Sequence, residues 1–378
     1  MQGAIRTGVS MQVPLLDLKA QYATIKDEVI SAISKVCESQ MFALGPAVAD
    51  FEKKIASYCQ SKYAVGVSSG TDALLVSLMA LGIGPGDEVI TTPFTFFSTA
   101  GCIVRLGAKP VFVDVEPDSY NINPSGIEEK ITEMTKAVIP VHLFGQAAQM
   151  KAINEIAQRH NLAVIEDAAQ AIGASQDGIK CGNFSHCGCF SFYPTKNLGA
   201  FGDGGLVTTN KETLAQKLKI LRDHGQNPRY FYGMIGGNFR LDGIQAAVLD
   251  IKLRYLDTWN EKRRQNAAFY DEVFSGTPVQ PPKVDENNTS IYHQYTVKVP
   301  HRDRLQEFLA ANQIGSAIFY PMPLHLQECF GELGYREGDL PVVERLCTEV
   351  LSLPVYPELS RQQIEYVAGT VLKFYGID

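Results

Sequence analysis

Tyr63-Ala64-Val65-Gly66-Val67-Ser68-Ser69-Gly70-Thr71-Asp72-Ala73-Leu74-Leu75-Val76-Ser77-Leu78-Met79 sets the rhythm of the chain. Tyr63–Val67 reads as a strand, Ser68–Thr71 as a turn, and Leu74, Leu75, Leu78 and Met79 as the apolar face of a helix. The alternation runs on to about His224. Glu88–Thr91 and Pro110–Val115 read as strands around a helix containing Ile103 and Leu106, and Ala137–His142 and Leu162–Glu166 flank a helix over Met150–His160. Cys187–Tyr193 and Gly205–Thr208 follow as strands separated by a glycine-rich bend. Strands alternating with helices of this length predict βαβ units and a mostly parallel sheet, an α/β domain.

Past that region Asp242–Phe274 reads as a long helix, interrupted near Asp257. Gln294–Val299 alternates as a half-buried strand, and Arg302–Asn312 and Arg361–Phe374 read as helices. With 378 residues the chain can bury two cores. The predicted organisation is an N-terminal extension (1–20), a large domain (21–257) and a smaller α+β C-terminal domain (258–378).

Apolar residues at 45% and charged residues at 20% are the balance of an ordinary globular protein. The net charge of −7, with no basic stripe, argues against a nucleic-acid partner. It also means that an anionic substrate would need positive charge supplied locally. No apolar run approaches the length that spans a bilayer, and the first residues lack the apolar core of a signal peptide, so no membrane partner and a cytoplasmic address are expected. Pattern begins only after Met11, which makes that residue a candidate start. Eight cysteines in a chain this long point to reduced thiols. Cys181, His186, Cys187 and Cys189 lack a zinc spacing and alternate into Phe190 and Phe192 as a strand, so no metal is expected.

Three motifs carry chemistry. Ser68-Ser69-Gly70-Thr71-Asp72 opens a helix after a strand, where free N–H groups and the positive end of the helix dipole suit a phosphate. Ser, Thr and Asp are also ordinary N-cap residues, and taken alone the motif reads as a capped helix start. Ile165-Glu166-Asp167-Ala168-Ala169-Gln170 places an acidic pair at the carboxyl end of a parallel strand, where open α/β sheets bind ligands. A buried carboxylate there needs a cationic partner, which a protonated pyridine nitrogen would be; a capping or ion-paired Asp is the plainer alternative. Ser191-Phe192-Tyr193-Pro194-Thr195-Lys196-Asn197-Leu198-Gly199-Ala200-Phe201-Gly202-Asp203-Gly204-Gly205 sets one lysine among aromatic, apolar and glycine residues. Such surroundings lower a lysine's pKa, which a Schiff-base nucleophile requires.

In this order, Ser-Gly-Thr-Asp-Ala-Leu, Glu-Asp-Ala-Ala-Gln, Ser-Phe-Tyr-Pro-Thr-Lys-Asn-Leu-Gly and Gly-Asp-Gly-Gly resemble the DegT/StrS-type nucleotide-sugar aminotransferases. These are enzymes of pyridoxal 5′-phosphate (PLP) fold type I, with a mostly parallel seven-stranded-type sheet flanked by helices. The resemblance extends from Pro14-Leu15-Leu16-Asp17-Leu18 through Leu44-Gly45-Pro46 to Tyr320-Pro321-Met322-Pro323-Leu324-His325. It implies that Lys196 forms the Schiff base with PLP and shuttles the proton. Asp167 would pair with the ring nitrogen, Gln170 would contact the phenolic oxygen, and Phe96 would stack on the ring. Gly70, Thr71 and Ser191 would hold the phosphate, and Asn238 would reach it from the neighbouring subunit of a homodimer with shared active sites. L-Glutamate is the implied amino donor and a nucleotide-linked keto sugar the acceptor, in ping-pong fashion through pyridoxamine phosphate.

Arg240 and His325 are the candidate sugar or diphosphate contacts; His142, His186 and His224 read as structural. Asn238-Phe239-Arg240-Leu241-Asp242 with Gln245-Ala246-Ala247 is more similar to the branch aminating C3 than to the one aminating C4, although Phe239 replaces an expected Ser. Related dehydratases carry His in place of Lys196, so the lysine opposes that reading. An inosose-type ketone remains an alternative acceptor, and a non-catalytic regulatory protein of the same fold an alternative role. No G-x-G-x-x-G follows the first strand, which disfavours an NAD-dependent dehydrogenase.

Overall fold

The computed structural model describes residues 11–377; what is expected of residues 1–10 lies outside them. The helices in chain order are α1 (Leu18–Ser39), α2 (Pro46–Tyr58), α3 (Gly70–Leu81), α4 (Ser98–Arg105), α5 (Ser125–Glu129) and α6 (Met150–Arg159). They continue as α7 (Glu212–Leu221), α8 (Gly243–Leu253), α9 (Leu256–Phe274), α10 (Arg302–Ala311), α11 (Pro341–Glu349) and α12 (Arg361–Phe374). The strands begin with β1 (Tyr63–Val67), β2 (Glu88–Thr91), β3 (Lys109–Phe112), β4 (Thr135–Ile139) and β5 (Ala163–Asp167). A short ribbon, β6 (Ser175–Gln176) and β7 (Ile179–Lys180), precedes β8 (Cys187–Ser191) and β9 (Gly205–Thr209). The last three are β10 (Asn288–Thr289), β11 (Tyr295–Lys298) and β12 (Val350–Leu353).

Seven strands form one sheet in the order β1-β9-β8-β5-β4-β2-β3. Pairing is parallel from β8 through β5, β4 and β2 to β3, and β9 runs antiparallel to both its neighbours. The fold is thus the α/β arrangement that the alternation predicts. Both faces are covered, as a parallel sheet requires. Val65, Ile165, Cys187, Cys189 and Val207 pack on α3, α4 and α7. Ala64, Phe190 and Leu206 pack on α2 and α8 from the other side, and Ile90, Val138 and Val164 pack on α6. Strand alternation explains the cysteines: Cys187 and Cys189 share one face and are buried as small apolar side chains. Among the described residues, no group of three His, Cys, Asp or Glu side chains could hold a metal, and no helix is long and apolar enough to cross a membrane.

The interruption expected near Asp257 in the Asp242–Phe274 helix falls at Arg254–Tyr255, between α8 and α9. Leu256 at the start of α9 belongs to the core beneath the large sheet, whereas Ala267, Tyr270 and Phe274 belong to a second core with β11, β12, α10 and α12. Val13 lies in that second core, and its amide and carbonyl pair with Gln313 O (3.0 Å) and Gly315 N (2.8 Å).

Asp114, just beyond β3, holds α11, which packs on Phe94, Phe112 and Val115 in a further cluster. Its carboxylate accepts from the Val342 and Val343 amides, each at 2.9 Å, and so caps α11 from a distant point in the chain. Leu340 and Pro341 provide no side-chain cap of their own. Loss of such a cap costs about 0.5–2 kcal/mol. Asp114→Ala is therefore expected to lower the unfolding free energy by about 1 kcal/mol, read from the urea midpoint at constant m-value.

Candidate active site

The carboxyl ends of the parallel strands converge, and the residues singled out from the sequence lie on the segments that leave them. After β1 the chain turns through Ser68 and Ser69 into α3, where Ser69 Oγ caps the helix by accepting from the Asp72 amide at 3.0 Å. Gly70 is the first helical residue, and a Cβ added to it would lie 2.7 Å from Ser191 Cβ. Only glycine permits that approach, so the N-terminus of α3 abuts the end of β8. Thr71 Oγ1 sits 2.7 Å from Ser98 Oγ at the start of α4. The structure thus brings Gly70, Thr71 and Ser191 together, with Ser98 beside them. Hydroxyls gathered in this cradle at two helix N-termini have the chemistry that suits a phosphate.

The acidic pair divides its labour by strand alternation. Glu166 is fully buried and faces away from the cradle. It accepts from the Gly182 amide (2.6 Å), the Phe184 amide (2.9 Å) and Ser185 Oγ (2.8 Å), and lies 3.0 Å from His142 Nε2. Ala148 directs its amide at His142 Nδ1 at 3.0 Å, and the Nε2 of the ring faces Glu166. His142 is structural, and so is His186, whose Nδ1 accepts the Val164 amide at 3.2 Å.

Asp167, the last residue of β5, turns the other way. It is 5% exposed, and burial raises its pKa, opposed by a hydrogen bond from Thr99 Oγ1 (2.7 Å), the Ala169 amide (3.2 Å) and the charge of Lys196. Among the described residues no cation is in ion-pair contact with it. Gln170, a turn later, accepts the Phe144 amide at 2.8 Å and donates to Tyr320 Oη at 3.2 Å. Phe94 is buried and meets Phe144, Tyr120 and Tyr320 edge to face, which anchors its loop and leaves Phe96 60% exposed.

Lys196 follows β8 in a turn closed by its own amide to Tyr193 O at 2.9 Å. Desolvation lowers its pKa to about 8, against the opposing pull of Asp167, so an appreciable fraction is free amine near neutral pH. The turn is held from behind. Asn197 donates to Asn260 Oδ1 (2.8 Å) and Ile291 O (3.1 Å), and its Oδ1 lies 3.2 Å from His293 Nδ1. Lys252 Nζ donates to Gly199 O at 2.6 Å. Asn197, His293, Lys252, Tyr320 and Thr99 were not among the predicted site residues. Lys252, in the last turn of α8, is a charged side chain on a helix face otherwise buried.

The remaining candidates lie apart from this group. Asn238 is exposed, pairs with Asp223 through its backbone, and its side chain makes no hydrogen bond to Gly70, Thr71 or Ser191. Arg240 is engaged by Asp223 at 2.6 Å, with both side chains about a quarter exposed. The ring of His325 is buried beside Phe112 and Tyr335, with Nε2 3.0 Å from Glu344 Oε1.

The group fits PLP on its own chemistry. It offers a hydroxyl-lined recess in which Gly70 leaves no room for a Cβ, a buried carboxylate that no cation among the described residues touches, and an amine of lowered pKa.

Residues 23–372 match the DegT/DnrJ/EryC1/StrS aminotransferase family. The chain is 49% identical to a pleiotropic regulatory protein of Geobacillus stearothermophilus, over 97% of this chain and 99% of that one. It is 44% identical to a UDP-N-acetyl-3-dehydro-alpha-D-glucosamine 3-aminotransferase of Acidithiobacillus ferrooxidans, over 95% and 97%. The structure of Streptomyces venezuelae DesV in complex with a ketimine intermediate superposes with a TM-score of 0.94 at 42% identity, covering 96% and 98%.

Asp167 and Glu166 should respond oppositely to loss of charge. A carboxyl whose folded pKa is raised above its unfolded value of about 3.9 costs stability as pH rises through that window, and the cost persists at pH 7. Asp167→Asn is therefore expected to melt, without cofactor, at or above the parental temperature while losing activity. Glu166→Ala, which strands several donors, should cost about 3–5 kcal/mol. Calorimetry on the cofactor-free variants checks both.

Proposed function

The chain belongs to the DegT/DnrJ/EryC1/StrS aminotransferase family, a PLP-dependent one, and on that premise we propose that it moves an amino group from L-glutamate to the 3-keto carbon of a nucleotide-linked sugar. The pairing of Lys196, with its pKa lowered to about 8, against Asp167 beside the Gly70–Ser191 cradle carries the reading. The 3-position follows the 3-aminotransferase among the relatives and the Asn238–Asp242 segment. The Geobacillus relative is described as regulatory, yet this chain keeps the amine, the carboxylate and the cradle together, which supports turnover.

Gly70, Thr71 and Ser191 would hold the phosphate of PLP, Phe96 would cover one face of its ring, and Gln170 would approach its phenolic oxygen. When bound, PLP supplies an aldehyde that links to amines and a ring that withdraws electrons from the bond being broken. Asp167 holds a negative charge at the ring nitrogen. Lys196 Nζ takes the proton from the α-carbon of the amino donor, and in the second half-reaction delivers one to the sugar carbon that receives nitrogen. One site serving two substrates in turn gives ping-pong kinetics.

Asn238, exposed within one chain, would complete the phosphate site of a partner subunit, making the protein a homodimer with shared sites. Arg240, once released from Asp223, would meet the sugar diphosphate. His325 would reach the sugar only if the turn around it shifted.

PLP added to the protein should give a visible absorbance band that L-glutamate removes and a 3-keto sugar nucleotide restores. Lys196→Ala should abolish the band and lower turnover by more than about 100-fold; a band indifferent to both the lysine and glutamate would overturn the reading. Mixing Lys196→Ala with Asn238→Ala subunits should recover activity that neither homodimer has, since one site of the mixed dimer regains both residues.

A further inference from the structure

Thr99 is the second residue of α4 and is 1% exposed; Thr95, in the loop before it, is 3% exposed. Their hydroxyl oxygens lie 2.9 Å apart, and Thr99 Oγ1 lies 2.7 Å from Asp167 Oδ2. Each hydroxyl has one proton to donate, and an ionised carboxylate can only accept. The proton of Thr99 therefore points at Asp167, and that of Thr95 must point at Thr99. Two buried hydroxyls are thus aligned in one direction, each polarising the next, and the series ends on the carboxylate.

We propose that Thr99, oriented by Thr95, is a positioning residue that keeps Asp167 ionised and aimed into the site. The inference rests on the role given to Asp167 above. The need for it lies in the surroundings. The titratable groups facing Asp167 are Lys196 from the turn after β8, His142 after β4, Cys102 on α4, Cys189 on β8 and Tyr320 from the C-terminal part. Burial pushes the Cys102 thiol up to about 12 and raises Cys189 and Tyr320 as well, so all three stay neutral. Against the cost of its burial, Cys181 and Glu166 raise the His142 pKa to about 10, and its Nε2 faces Glu166 at 3.0 Å, so that carboxylate offsets the charge of the ring. Lys196 works as the uncharged amine. When Lys196 is neutral, the hydrogen bonds that reach the carboxylate are those of the Thr99 hydroxyl and the Ala169 amide.

Thr99→Val replaces the hydroxyl with a methyl group of similar size. In the cofactor-free protein, the Asp167 carboxyl can be followed by carbon NMR across a pH titration, its signal assigned by its absence in Asp167→Asn. Removing a donor to the ionised form should raise the Asp167 midpoint by about one pH unit. Thr99→Ser should return it to the parental value, and Thr95→Val should raise it less. In the PLP-loaded enzyme, the acid limb of kcat should move up by the same amount, with KM for L-glutamate unchanged. An unmoved midpoint in Thr99→Val overturns the proposal whatever the activity does. A moved midpoint with an unmoved kcat limb supports the hydroxyl pair and overturns the role of Asp167 instead. If Thr99→Val loses its helical circular dichroism, Thr95→Val, one hydroxyl further back, carries the same test with a smaller shift of the same sign.

Discussion

A buried carboxylate that no cation among the described residues touches is the constraint around which this molecule is organised. Desolvating Asp167 disfavours its charge, and the surrounding protein offers one hydroxyl, one amide and the field of a lysine that is itself destabilised by burial. Two groups that would each be comfortable in water are held apart from it, facing one another without contact. That unfavourable arrangement persists because the sheet beneath is over-determined, with buried apolar side chains on both faces. The free energy withheld from folding is available to a ligand that brings a cationic ring nitrogen and a carbonyl.

The strand alternation of β5 lets one short run serve two purposes. Glu166 and Asp167 are adjacent carboxylates of the same chain, yet the first is tied to the 182–185 bend and His142 while the second accepts only from Thr99 and the Ala169 amide and faces Lys196. Glu166 fixes the 182–185 bend, which positions the start of β8, and the far end of β8 delivers Ser191 and the turn of Lys196. Scaffold and chemistry are thus linked through a single strand, and shifting its register by one residue would exchange the two roles.

Much of this was legible in the sequence because local rules decided it. Tyr63–Val67, Glu88–Thr91 and Arg361–Phe374 form where periodicity places them, to the residue. The strand expected over Cys187–Tyr193 stops at Ser191, since Phe192 continues the apolar alternation after the chain has left the sheet for the core beneath it. β12 went unread because Val350 follows α11 with no turn residue between them. Gly70 and Asp167 stand out by residue type beside strand ends and Lys196 by its apolar surroundings, whereas the role of Ser191 comes only from the family resemblance. Thr99, Asn197, His293 and Tyr320 do not stand out: their partners lie 68, 96, 96 and 150 residues away respectively, and an ordinary Thr or Asn carries no local mark of such a bond.

The pairing of Val13 with the 313–315 segment has a consequence for how the molecule comes into being. A ribosome releases the whole of the large sheet, which ends at Thr209, long before residue 314 exists. Throughout that interval the N-terminal segment has been made but has no partner. The second core, which also needs α12, closes only when synthesis is almost complete. Assembly is therefore ordered by translation: the sheet that bears Lys196 comes first, and the clasp between Val13 and the 313–315 segment comes later, at the high loop-closure cost of a contact spanning about 300 residues.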